Sequence, residues 1–222
     1  MFLILAALFI AALVSCNLIA NKFVSVDLGF KTFVLSAGVL PYPITFLITD
    51  ILSEIYGKKE TRKVVLAGFV ASVFVIGVIF LGAAFPAIGE SKVSNEVYNI
   101  TFKSTWRIIV ASMTAYLTAQ IIDVHVFHFW KRLTNGRMLW LRNNGSTIFS
   151  QFIDSTLVTI VIFFGLEDAP TIASFILDAW LFKILVAMFD TPLFYGVTYL
   201  FRRYFNLKLG EELVDYRITK AN

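Results

Sequence analysis

Cysteine is almost missing from this sequence of 222 residues: Cys16 stands alone. An intrachain disulfide and any cysteine-based metal cluster are therefore excluded, and the redox compartment is left open. Histidine is nearly as scarce. His125 and His128 sit three residues apart, a spacing that could hold a metal, but without cysteine nearby an interfacial role accounts for them better. Charge is also thin, at 15% of residues against about 25% in an ordinary soluble domain. No Walker A sequence, G-x-S-x-G elbow or H-E-x-x-H motif occurs, and no nucleophile–base pair stands out. The chain reads as a non-enzyme without cofactor or metal.

What fills the sequence is apolar: 58% hydrophobic residues and a mean hydropathy of +0.79. These residues come in runs of about 20, the length a helix needs to cross roughly 30 Å of hydrocarbon. The spacing predicts an all-α integral membrane protein, a single transmembrane domain over 1–222. Its six spans are roughly 2–20, 33–56, 63–85, 105–127, 146–166 and 175–201, with a short tail at 202–222. Leu13-Val14-Ser15-Cys16 resembles a lipoprotein cleavage site, but no positive residue precedes the apolar run, so the first segment is expected to be a retained helix. Ala7 and Ala11 give it a small-xxx-small face for a neighbouring helix.

Basic residues alternate between the connections. Lys58, Lys59, Arg62 and Lys63, then Lys131, Arg132, Arg137 and Arg142, then Arg202, Arg203, Lys208, Arg217 and Lys220 fall on one side. The other side has only Lys22, Lys31, Lys92 and Lys103. By the positive-inside rule the richer set is cytoplasmic, which puts both termini in the cytoplasm and agrees only with an even number of spans. The net charge of +4 is explained by these loops, with no need for nucleic acid. Pro41 and Pro43 are expected to break or kink the second span and Pro192 the sixth. Interruptions of this kind are tolerated in lipid only where protein or a wet cavity satisfies the freed backbone groups, and many transporters bind substrate there.

Ionisable side chains inside a bilayer cost at least about 2.5–3.5 kcal/mol at mid-depth and are functional candidates by default. At 100° per residue, Ser112, Tyr116, Gln120, Asp123 and Phe127 share one stripe of the fourth span. Asn144, Thr147, Gln151, Asp154 and Ser155 do the same in the fifth. Thr45, Thr49, Asp50, Ser53 and Glu54 form a polar face in the second. Lys183, Asp190, Phe194 and Thr198 share a side of the sixth. Four such stripes are expected to converge on a polar cavity, acidic in its cytoplasmic half (Asp50, Glu54, Asp123, Asp154, Asp190) and basic in its outer half (Arg107, Lys183). Carboxylates beside amides suit a ligand that donates several hydrogen bonds, such as a guanine-like edge or an amine; Tyr116, Trp140 or phenylalanines could stack on its ring. The alternative is that these groups tie helices together, that Arg107 snorkels and that Asp178 lies at the outer interface. Ala119-Gln120-Ile121-Ile122-Asp123 is echoed by Ser150-Gln151-Phe152-Ile153-Asp154, too short a match to count as a repeat.

Longer motifs run through the same residues: Pro43 to Asp50 (PITFLITD) followed by Glu54-Ile55-Tyr56-Gly57, Ala115-Tyr116, Gln120 to Phe127 (QIIDVHVF), Trp140 to Thr147 (WLRNNGST) and Asp154-Ser155. They resemble the VUT family of vitamin uptake transporters over nearly the whole chain, with Asn17, Arg107 and Lys183 at places where the family carries those residues. Ser155 stands where the family often has threonine. The resemblance implies import of queuosine precursors, 7-cyano- or 7-aminomethyl-7-deazaguanine or queuine, across the inner membrane. On that expectation the chain is a multi-pass secondary carrier in the lipid bilayer. Asp50, Tyr116, Gln120, Asp123, Asn144, Gln151 and Asp154 are expected to bind the base. Asn17, Glu54, Arg107, Lys183 and Asp190 are expected to gate or balance charge. A homo-oligomer is compatible with the sequence. The rival is a substrate-binding subunit of a multi-subunit, ATP-driven vitamin transporter.

Overall fold

The computed structural model describes the chain except residues 21, 104, 105, 164, 166, 167, 209, 210 and 214–222, and except the side chains of 103, 106–109, 112 and 162. It is a helical membrane protein. Helix α1 (Phe2–Ile19) leads into a hairpin of β1 (Phe23–Asp27) and β2 (Thr32–Ser36). Then come α2 (Tyr42–Ile55), α3 (Gly57–Ala84), the short α4 (Asn95–Tyr98), α5 (Trp106–Leu133), α6 (Leu139–Phe163) and α7 (Ala169–Phe205). By length and composition four helical stretches are apolar enough to cross a membrane: Phe2–Ile19, Ala37–Ile55, Gly57–Ala84 and Ala169–Phe205. Helices α5 and α6, with 28 and 25 residues, exceed the roughly 20 residues a span needs but fall outside that set. They also carry Gln120, Asp123, Gln151 and Asp154.

The hairpin is where the fold departs most from expectation. Residues 33–36, expected to open the second span, belong instead to β2, which pairs antiparallel with 23–27, Phe23 opposite Ser36 and Asp27 opposite Thr32. The turn is set by Gly29 at φ 81°, whose N–H donates to Asp27 Oδ1 at 2.9 Å. Alternation then puts Phe33 and Leu35 on one face, buried against Phe182 of α7 with ring centroids of Phe33 and Phe182 5.7 Å apart. At the tip Lys31 forms an ion pair with Asp178 of α7, so Asp178 anchors the hairpin. Lys22 precedes the hairpin and Lys31 sits at its tip.

A 3₁₀ turn over Ala37–Val39 joins the hairpin to α2. Pro41 is the N-cap of α2 and Pro43 lies in its first turn, where the missing N–H would have no intrahelical partner anyway. The two prolines thus start this helix after an irregular stretch. Pro192 lies well inside α7; its missing N–H leaves the Met188 carbonyl without its usual donor, while the Thr191 hydroxyl donates to Ala187 O at 3.1 Å. Asp168 caps α7 by accepting from Thr171 N–H at 3.1 Å. Hydrogen bonds from Thr171 hold the Asp168 carboxyl below the usual carboxylate range.

Helix α2 is the centre of the bundle. It packs against α1, α3, α5 and α7, and Thr45, Thr49, Asp50, Ser53 and Glu54 are all buried along it. The apolar core around it runs through Phe9, Leu13, Phe46, Leu52, Ile55, Phe127 and Phe194. Faces that turn away from α2 are apolar and exposed: Val70, Phe74 and Leu81 on α3, Met188 and Phe189 on α7, as lipid-facing surfaces should be. Helices α1 and α3 meet closely at Gly68, where a Cβ would fall 2.6 Å from Phe9 Cε1.

Between α2 and α3 the chain turns at Gly57 with φ 81°. A side chain there would be strained by about 1–2 kcal/mol from the left-handed backbone alone and would also collide with the Glu212 carboxylate. Gly57→Ala is expected to lower the thermal unfolding temperature of the purified protein clearly, whereas Gly77→Ala, at a helical glycine with open space around it, should leave it level or raise it. Equal effects would contradict this account of the turn.

Candidate functional site

Three polar groups follow one another along α2, which contributes Tyr42 to the first, Asp50 to the second and Glu54 to the third. The first, nearest the hairpin, is built on Asp154 of α6. Lys183 of α7 donates to its Oδ2 at 2.6 Å and Tyr42 of α2 donates to its Oδ1 at 2.8 Å. The Lys183 ammonium also reaches Ser155 Oγ at 3.2 Å and lies 4.6 Å from the centre of the Tyr42 ring. Both Asp154 and Lys183 are buried, so this is a fully partnered ion pair inside the bundle, the arrangement that a buried charge requires. Basic and acidic residues are thus in direct contact here, where the sequence had placed them in opposite halves of the cavity.

The middle group is built on Asp50 and Asp123. These carboxyls come from α2 and α5, and each keeps one buried oxygen, Asp50 Oδ1 and Asp123 Oδ2, without a partner. Ser150 of α6 donates to Asp123 Oδ1 at 2.9 Å and Thr147 donates to Asp50 Oδ2 at 3.4 Å. No cation lies within ion-pair distance of either carboxyl among the described residues. Several neighbours are buried without any partner: Gln151 Oε1, Asn143 Oδ1 and both amide atoms of Gln120. Buried polar atoms are normally paired, so a group of orphans at one depth needs an explanation.

A narrow slot lies beside Asp50, lined by Phe46, Asn143, Thr147, Gln151, Lys183 and Asp190 among others. Its volume of about 10 Å³ gives room for one water. A larger cavity of about 320 Å³ lies on the hairpin side, between the hairpin and helices α6 and α7, with an apolar wall that includes Val34, Leu35 and Phe175. Lys183 lines both spaces. The Asp154–Lys183–Tyr42 group therefore stands at the boundary between a roomy vestibule and the slot.

The third group is at the far end, centred on Glu54. Arg142 grips its carboxylate with two nitrogens, Nη1 at 2.5 Å and Nη2 at 3.2 Å. Arg202 of α7 makes an ion pair with it, and Lys131 Nζ stands 3.9 Å away. Lys131 also bonds Glu212 at 3.0 Å, and Arg142 donates to Gly136 O in the α5–α6 turn at 3.1 Å. One buried anion thus ties α2, α5, α6 and α7 together.

The structure brings most of the expected site residues together. Asp50, Gln120, Asp123, Gln151 and Asp154 are buried in the interior, and Asp190 is half-buried at the slot. Tyr116 is buried in an aromatic group with Phe9, Tyr42 and Phe46, centroids 5.6–6.3 Å away. Others lie elsewhere. Asn144 faces Thr191 of α7, donating to it at 2.9 Å, and its neighbour Asn143 lines the slot. Asn17 lies on an α1–α3 crevice with Ser72, away from the acids. Trp140 is exposed, its N–H donating to Tyr195 at 2.9 Å. The side chains of Arg107 and Ser112 lie outside the described residues. His125 is exposed and contacts Ile121 O, and no metal-binding cluster occurs among the described residues. Tyr42, Asn143, Ser150, Arg142, Arg202 and Lys131 were not singled out from sequence. Tyr42 did carry a signal, since a tyrosine between two prolines at the start of a helix is held in place.

Buried carboxyls and orphaned amides in the interior of an apolar helical bundle mark it as a membrane protein with a polar interior. The chain belongs to the family described as "Putative vitamin uptake transporter", whose model matches residues 36–197. It is 31% identical over 160 residues to the "Probable queuosine precursor transporter" of Bacillus subtilis, covering 72% of this chain and 69% of that one. It is 30% identical over 195 residues to the "Queuosine precursor transporter" of Escherichia coli, covering 82% and 79%. A "Probable queuosine precursor transporter" of Haemophilus influenzae is 26% identical over 171 residues, covering 72% and 66%. No solved structure matches.

Proposed function

We propose that the chain is a secondary carrier that imports queuosine precursors, 7-cyano- or 7-aminomethyl-7-deazaguanine or queuine, across the inner membrane. It crosses the membrane six times, α5 and α6 included, with both termini and the Glu54 end in the cytoplasm. The alternation of basic connections supports this orientation, since Lys58, Lys59, Arg62, Lys131, Arg132, Arg202 and Arg203 all lie toward the Glu54 end of their helices.

The observation that carries the reading is the set of buried acceptors without donors around the slot: Gln151 Oε1, Asn143 Oδ1 and an oxygen of Asp50. A 7-deazaguanine edge offers N1–H and N2–H₂ donors in one plane, the complement of such a set. The relatives' names point to the same chemistry. The slot is closed around about 10 Å³, so a base enters only when α6 and α7 part from α2. The 320 Å³ vestibule is within the range of small-molecule sites and is the waiting position on the outer side. Asp50, Asp123 and Asp154 accept from the base, Gln120 and Gln151 complete its hydrogen bonds, and Lys183 gates. A substrate-binding subunit of an ATP-driven assembly is not favoured, because the relatives are named as transporters.

A ligand that binds only the folded state raises its stability by mass action. Detergent-purified protein is therefore expected to gain several degrees of thermal stability with saturating 7-cyano-7-deazaguanine, and Asp123→Asn to lose most of that gain. A gain of equal size in Asp123→Asn would remove Asp123 from the site. No gain with any of the three bases would remove the substrate assignment.

A further inference from the structure

Asp50 and Asp123 present a problem that binding a base does not resolve. Asp50 accepts from Thr147 and Asp123 from Ser150, one turn apart on α6, and the other oxygen of each carboxyl is buried without a partner. Two carboxylates are acceptors only, so neither can satisfy the other without a proton. Each residue is at most 1% exposed. Two negative charges held against neighbouring turns of one helix in such surroundings repel strongly and lose hydration.

The charges around the pair do not relieve it. On α2, Glu54 lies one turn away and is already held by Arg142, Arg202 and Lys131. On α6, Asp154 is held by Lys183 of α7, and Asp190 of α7 adds a further acid at the slot. Helix α3 brings Arg62 only to the outward crevice beside Gln120. Helix α1 contributes the Cys16 thiol, α2 and α5 contribute the Tyr42 and Tyr116 phenols, and α5 carries His125, His128, Lys131 and Arg132 toward its Glu54 end. Lys183 is thus committed to Asp154, and Arg142, Arg202 and Lys131 to Glu54. The slot with its single-water volume touches Asp50 and runs past the unpaired oxygens of Gln151 and Asn143, which could hold a water or hydronium on its way to or from the pair.

We propose that Asp50 and Asp123 form a proton-binding site that holds one proton between them in the closed chain, and that this proton travels with the substrate. The inference rests on the carrier reading above. In the balanced step, the empty pair takes one proton from the outer aqueous phase when the Asp154–Lys183–Tyr42 boundary opens. It keeps the proton while closed, and releases it to the cytoplasm when the Glu54 end opens. No covalent bond to carbon forms or breaks, and each cycle moves one proton inward with one base. A single proton also lets two acids share one buried position without a metal or a second lysine.

The test is the ratio of protons to base moved by the purified chain in liposomes. Tritiated 7-cyano-7-deazaguanine reports base entry and a trapped pH-sensitive dye reports lumen acidification. Wild-type protein is expected to acidify the lumen in step with base entry, near one proton per base, and to accumulate base when the outside is more acidic. In Asp50→Asn and Asp123→Asn the ratio should fall toward zero at whatever rate remains. Base entry without acidification, or an unchanged ratio in both variants, would overturn the proton site while leaving the carrier intact. No base entry by wild type would overturn both. Should the variants move too little base to give a ratio, wild-type protein treated with dicyclohexylcarbodiimide decides, since this reagent adds to protonated carboxyls. An adduct mapped to Asp50 or Asp123 and not to Asp154 is expected, and an adduct on Asp154 alone would refute the proposal.

Discussion

Glu54→Ala is expected to be the most damaging single substitution in the protein. Removing one partner of a buried ion pair leaves an uncompensated charge and costs about 3–5 kcal/mol, and here one carboxylate serves Arg142, Arg202 and Lys131 at once. A domain is typically stable by only about 5–15 kcal/mol, so much of the chain should fail to reach the membrane folded. The partners are unequal. The Arg142 side chain is fully buried, whereas Arg202 and Lys131 keep 13% and 9% exposure and have long stems that can carry their charge toward water. Arg142→Ala should therefore come second, with Arg202→Ala and Lys131→Ala well behind. Monodisperse yield and thermal unfolding in detergent would rank the four. A Glu54→Ala protein as stable as wild type, or a ranking led by Lys131, would show that the network does not hold the four helices together.

The second large effect is expected at the outer boundary. Lys183→Met leaves the Asp154 carboxylate buried with only Tyr42 to donate to it, and Asp154→Asn leaves the buried Lys183 ammonium without a counter-charge. Each single change should cut uptake of labelled precursor by at least about tenfold, equivalent to about 1.4 kcal/mol, with some loss of stability. Combining them removes both charges, and replacing a whole buried pair by uncharged groups is often close to neutral for stability. The double variant should thus regain thermal stability without regaining uptake. That split separates gating from mere support: uptake recovering with stability would make the pair structural, and normal uptake in both singles would place the boundary elsewhere.

These residues also show how far the sequence could be read. The long apolar runs and the burial of Asp50, Asp123 and Asp154 were legible because lipid imposes a length on helices and a penalty on charge, both visible without neighbours. Arg142 was misjudged for the same reason. It was counted among loop cations, since the apolar run begins near residue 146, yet α6 starts at Leu139 and carries Arg142 into the bundle to meet Glu54, 88 residues away. No local pattern announces a contact at that separation. The hairpin had the alternation of a strand pair, with Val24, Val26, Phe33 and Leu35 around a glycine turn. Its apolar half merged with the run that follows, however, and length decided in favour of a span. Asn143 and Asn144 show the limit of wheel arithmetic. One residue's rotation is 100°, and only the position of α7 tells which of the two faces the slot and which faces Thr191. The Asp154–Lys183 pair was out of reach too, because periodicity gives a side chain's direction but not how far a lysine stem reaches between helices.

Purified protein in sealed liposomes, with no nucleotide and no second protein, tests the central claim most directly. The chain alone is expected to exchange labelled for unlabelled 7-cyano-7-deazaguanine across the bilayer, saturably and well above empty liposomes. Uptake that stays at the level of empty liposomes, or that starts only when ATP and a partner complex are supplied, would contradict a self-sufficient carrier.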